Sequence, residues 1–187
     1  MKFFILMCIV LLNACSSLEK QNKPVFLDQH SQFYLQPVPK ELWGHSSLQK
    51  LLITTPQDNH ELLLQTELLP NQINMVGLSP AGLVLFKLTW SQEAGIQTNT
   101  NIMAKGIDAK VMLAYYQLAN WPIAVIRLGL QDLLIKLSPE DQQTRDFWRG
   151  HELVFSVEHK AKHNLMTHYI NHYQIKIETI SQNIIEF

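Results

Sequence analysis

Three stretches of this 187-residue chain alternate apolar with other side chains at a period of two, and that alternation limits the fold more than any other feature. Val84, Phe86, Leu88 and Trp90 alternate with Leu85, Lys87 and Thr89; Leu153, Phe155 and Val157 with Val154, Ser156 and Glu158; Tyr173, Ile175, Ile177 and Thr179 with Gln174, Lys176 and Glu178. Successive strand residues point to opposite faces, so these runs predict strands with one buried face. Weaker runs at 32–36, 48–55, 61–69, 72–78, 96–100 and 133–137 join the same class. The connections are short and rich in turn residues: Pro56-Gln57-Asp58-Asn59, Pro70-Asn71 and Ser79-Pro80-Ala81-Gly82. This spacing predicts an antiparallel meander that curls toward a barrel.

Several of the strands are apolar on both faces, as at Leu62-Leu63-Leu64, Leu68-Leu69 and Val84-Leu85-Phe86. Such strands need a cover on one side, or a cavity on the other. Two helices can supply the cover. Asp108 is a good N-cap, and behind it Val111, Tyr115, Leu118 and Ala119 recur at helical spacing, with Met112 and Tyr116 as a second row. Asn120-Trp121-Pro122 ends that helix, and Pro122 can open a second as its first residue. The second helix, 123–130, is apolar nearly all round apart from Arg127, which predicts burial or a greasy neighbour. The expected fold is mainly β with helices, of the α+β class.

The chain begins Met1-Lys2, runs through ten apolar residues from Phe3 to Leu12, and continues Asn13-Ala14-Cys15-Ser16-Ser17. A basic residue, a short apolar run and a small-residue site make a secretory signal. It is too short to span a bilayer, which takes about 20 apolar residues. Leu12-Asn13-Ala14-Cys15 resembles the lipobox of bacterial lipoproteins. That resemblance implies a signal peptide at 1–14, three acyl chains on Cys15, and a membrane lipid anchor. Ser16, where retained lipoproteins carry Asp, implies sorting to the outer membrane of a Gram-negative cell; of the two faces open to the anchor, the periplasmic one is expected. Residues 15–24 then form the lipidated N-terminus and a polar linker, and 25–187 a single domain. With Cys8 removed and Cys15 acylated, the mature chain has no thiol for a disulfide, a thiolate metal site or a nucleophile. A net charge of −1 and the absence of a Lys/Arg cluster argue against a nucleic-acid partner.

Met75-Val76-Gly77-Leu78-Ser79-Pro80-Ala81-Gly82-Leu83-Val84-Leu85-Phe86, then Tyr116-Gln117-Leu118-Ala119-Asn120-Trp121-Pro122 and Arg127, resemble a family of small proteobacterial lipoproteins of unknown function. Its members are often encoded in clusters for aryl-polyene or fatty-acid-like products. The resemblance implies a fold like the lipoprotein carriers LolA and LolB: an incomplete antiparallel barrel under a helical lid. It carries no catalytic residues and no cofactor. It implies a cavity for a lipid, an acyl or polyene chain, or the acyl chains of a lipoprotein, delivered to the outer membrane. Candidate lining residues are Phe86, Leu88, Trp90, Tyr115, Trp121 and Ile126; the alternative for each is a place in a solid core. Arg127 either holds an anionic head group at the rim or snorkels. Leu68 and Leu69, at the Pro70-Asn71 turn, are the nearest equivalent of a membrane-inserting loop; Leu68 packing inward is the other possibility. The rival function is a non-catalytic scaffold whose apolar groove grips an envelope protein.

Enzyme readings lack a site. His159 and His163, like His168 and His172, stand four apart, a zinc-like spacing on a helix, but the surrounding alternation makes them solvated histidines of a hairpin, with no metal. There is no Gly-x-Ser-x-Gly elbow, and Ser79 before Pro80 serves a turn.

Overall fold

The computed structural model describes residues 23–101 and 106–185. The signal peptide and Cys15 lie outside the described residues. Two meanders carry the fold. The first is β3 (His45–Thr54), β4 (Asn59–Leu69), β5 (Gln72–Leu78), β6 (Val84–Ser91) and β7 (Gly95–Thr100). The second is β9 (Leu134–Leu137), β10 (Thr144–Arg149), β11 (Glu152–His159), β12 (Asn164–His168) and β13 (Tyr173–Ile184). Between them stand helices α1 (Ala109–Asn120) and α2 (Ile123–Gly129). The strips β1 (Val25–Phe26), β2 (Gln32–Phe33) and β8 (Leu130–Gln131) form a separate three-stranded sheet that ties the N-terminal segment to the end of α2.

All ten long strands share one sheet, in the order β7-β6-β5-β4-β3-β13-β12-β11-β10-β9. Strand β13 pairs antiparallel with β3 from Gln174↔Thr54 to Ile184↔His45, so the last strand joins the two meanders. The edge strands β7 and β9 do not pair with each other, and the sheet stays open instead of closing into a barrel. It curls nonetheless. Ten strands about 4.8 Å apart would spread over roughly 40 Å if flat, far wider than a helix. Yet α1 packs on β6 and β7, its Tyr115 meets Phe155 of β11 and Tyr173 of β13, and its last carbonyls meet Arg145 of β10. One helix reaches both halves only if the sheet wraps around it.

The strands expected from the alternation are present, and β10 and β12 join them from segments whose pattern is mixed. Bulges revise the faces. Gly77 pairs with Phe86 but Leu78 pairs with Val84, so Leu85 is the extra residue. Leu85 and Phe86 are therefore both buried and Val84 is exposed, where strict alternation puts Val84 inside. A second bulge, between Phe147↔Phe155 and Trp148↔Leu153, buries Val154 in the same way. The short helix also departs from expectation. Pro122 is its N-cap, and Leu128, 77% exposed, projects into solvent from a helix expected to be covered.

Candidate functional site

The concave face of the sheet, with α1 laid into it, is where the sequence places its candidate site. Phe86, Leu88 and Trp90 line up on the inner face of β6, and Tyr115, Trp121 and Ile126 approach from the helices; all six are buried. Phe86 fits because Gly77 lies opposite: a Cβ there would come within 2.2 Å of the phenyl ring. Under α1 lies a cavity of about 20 Å³, lined in part by Leu64, Met112, Tyr115, Tyr116 and Met166. A space of this size holds about one water. Under α1 the core is thus filled in this conformation; of the six candidates Tyr115 borders the space left there, and Trp90 borders a separate pocket at the open end of the sheet.

Polar side chains seat the helix. Asp108 caps its N-terminus by accepting from the Lys110 N–H. At the other end Arg145 of β10 donates to the carbonyls of Leu118 (3.1 Å), Ala119 (3.0 Å) and Trp121 (2.9 Å). A cation at a helix C-terminus meets both unpaired carbonyls and the negative end of the dipole. Burial lowers the Arg145 pKa from its ordinary value, a cost those three carbonyls offset. His159 of β11 sits beside it, Nε2 2.9 Å from Ala119 O and Nδ1 2.9 Å from Gln143 O. Gln117, fully buried, accepts from the Gln36 N–H and donates to its carbonyl, as a neighbouring strand would. Trp121 Nε1 donates to Pro37 O. The N-terminal segment is thereby strapped across the outside of the helix.

A second polar cluster lies where the strap begins. The Asp28 carboxylate accepts from the His30 and Ser31 N–H groups and pairs with Arg149 at 3.2 Å. Burial alone would raise its pKa, but those bonds, the Ser31 hydroxyl and Arg149 hold it below the usual value. The Tyr173 hydroxyl donates to that of Tyr115, which donates to Leu27 O. Desolvation raises both phenols, Tyr173 to about 12 and Tyr115 well above its normal range, so both are neutral donors at physiological pH. His168, 1% exposed and stacked on Phe155, is pushed down to about 4, chiefly by burial, and is neutral at pH 7. The ring accepts from the Asn171 N–H at 3.2 Å. These groups pin the strap to β10 and β12.

Other expected residues land elsewhere. Arg127 is exposed on α2 and points to no cavity the structure describes. Leu68 is 2% exposed, packed inward beside Ile73 at the end of β4, so it is not available to a membrane in this conformation; Leu69 is half-buried. The surface reading of the hairpin histidines fails for two of them: His168 is core, and His159 bridges helix to sheet. Among the described residues no group of three His, Asp, Glu or Cys side chains is placed to hold a metal. No helix among them is long and apolar enough to cross a membrane. Arg145 and Gln117 escape a reading of the sequence because each acts on a backbone far away along the chain, and the pair of Asp28 with Arg149 because its partners lie 121 residues apart. The one local signal is the spacing of Asp28 from Ser31, an Asx-type turn.

A family model described as a protein of unknown function, DUF3261, matches residues 46–181. No curated protein matches the chain.

Proposed function

Since the chain belongs to the DUF3261 family of unknown function, we propose that it is an outer-membrane lipoprotein, anchored through Cys15, that binds the apolar part of a lipidic ligand between its open sheet and helix α1. In this reading the fold is of the LolA/LolB type and the ligand is a lipid, an acyl or polyene chain, or the acyl chains of another lipoprotein. No catalytic role is assigned. The observation that carries the reading is how α1 is held: an apolar helix lies in an apolar trough, and polar clamps at its ends and back orient it. Among the described residues no strand ladder fixes it there. A helix seated this way can be replaced in the trough by another apolar rod. With about 20 Å³ of space in the closed form, ligand entry requires α1 to move. Met112 and Met166, which border that space, have unbranched side chains that repack around varied shapes.

Native mass spectrometry with lipid extraction, on protein purified from its own envelope, tests the binding step. A bound acyl or polyene species in stoichiometric yield supports it, and a compact, empty protein under the same conditions would sink it. Labelling cells with an alkynyl fatty acid tests the anchor: the wild-type chain takes up label and Cys15→Ala does not.

A further inference from the structure

We propose a second, separate site: a pocket at the open end of the sheet, floored by Trp90, that receives a neutral, extended peptide segment of another protein. The pocket, of about 610 Å³, lies between the strap at Pro37 and Val38, the β4–β5 turn and the β6–β7 turn. Trp90 is 2% exposed, and its buried Nε1–H has no acceptor among the described residues. The fold does not treat its other indoles so. Trp121 donates to Pro37 O and Trp43 to Val38 O, both at 3.0 Å. Those indoles bond the carbonyls of two residues that line this pocket, and the Trp90 N–H is left over. A buried donor without a partner is destabilising, which makes it a strong attractor for an acceptor brought in by a ligand.

The rest of the lining narrows the ligand. Among the described residues Glu93 is the one charged side chain of its lining and no cation borders it, so carboxylates and phosphates are disfavoured. Asn71, Gln72 and Gln92 supply side-chain amides, each both donor and acceptor. A peptide backbone alternates the same two functions, offering a C=O to Trp90 and an N–H to Glu93. The proline and valine wall accepts a small apolar side chain. An acyl chain offers none of these groups a hydrogen bond. This site does not depend on the interior taking a lipid; it fits a protein partner whether or not a lipid is bound.

The test is a ¹H–¹⁵N spectrum of the full chain, with the Trp90 indole signal assigned from Trp90→Phe. Pools of N-acetylated, C-amidated neutral tetrapeptides are added, and in parallel a neutral tetrasaccharide and an acyl glycerol. We expect saturable, downfield movement of the Trp90 indole proton with a subset of peptides. Trp90→Phe should then weaken binding about three- to tenfold, the effect of one hydrogen bond. Glu93→Lys, at an exposed position where folding is not at stake, should weaken it as well. If no peptide pool moves the signal at millimolar concentration, or if the saccharide or the acyl glycerol moves it instead, the assignment is overturned.

Discussion

At the scale of single residues, the chain stores sensitivity in side chains that are buried but polar, or small but crowded. His168 is the clearest case. Its pKa falls to about 4 in the fold, chiefly by burial, against about 6.5 in an unfolded chain. A base whose folded pKa is depressed stabilises the fold fully above the unfolded value and progressively less as pH falls between the two. Between pH 7 and pH 5 that linkage removes about 2 kcal/mol. Urea unfolding at both values should register the loss, and His168→Gln should abolish most of that difference, since glutamine does not titrate. Equal pH dependence in the two proteins would show that His168 is solvated. Gly77 makes the complementary prediction. A Cβ would come within 2.2 Å of the Phe86 ring, which is wholly buried and has nowhere to retreat. Gly77→Ala is expected to cost about 1–3 kcal/mol by overpacking. Adding Phe86→Leu should recover part of that, a coupling readable from a double-mutant cycle; strict additivity would refute the clash.

At the scale of elements, strands announce themselves through alternation and helices through caps. Helix α1 begins after Asp108 and ends before Pro122, where the sequence puts its boundaries. The runs at 61–69 and 72–78 become β4 and β5 almost residue for residue. What alternation cannot report is a bulge, because one extra residue reverses the faces without changing composition. That is why Val84 and Leu85 exchange places. Nor can it report how an element is held, since Arg145 and His159 lie more than twenty residues from the carbonyls of α1 that they meet. Pattern likewise names Phe86 and Trp90 as inward-facing without saying whether they enclose space or fill it. The clamp itself is testable. Arg145→Gln withdraws a guanidinium from three carbonyls and should cost about 2–4 kcal/mol. Hydrogen exchange should then quicken in the last turn of α1 more than in β3 or β13. A uniform acceleration over the whole chain would mean that the helix does not open on its own.

At the scale of the whole molecule, the open sheet, the strap and the helix pose one problem in energetics: how an interior with about 20 Å³ of free space can admit an acyl chain. Burying a methylene is worth about 0.8 kcal/mol, so a sixteen-carbon chain brings roughly 12 kcal/mol toward displacing α1 from its trough. That is enough to offset the loss of the clamp and part of the helix contacts, provided opening comes first. Uptake of a fluorescent sixteen-carbon acyl probe should therefore reach a rate ceiling set by opening, independent of probe concentration once the probe is in excess. Weakening the clamp lowers that barrier. In Arg145→Gln the ceiling should rise, by about tenfold if 1.4 kcal/mol of the lost stability belongs to the opening step. A cysteine pair placed to cross-link α1 to β4 should stop uptake when oxidised and restore it when reduced, leaving the folded state unchanged by circular dichroism. A rate that climbs in proportion to probe, indifferent to both the clamp and the cross-link, would put the acyl chain on the outer surface. The concave face would then be a core alone, and the binding of partners would fall to the pocket floored by Trp90.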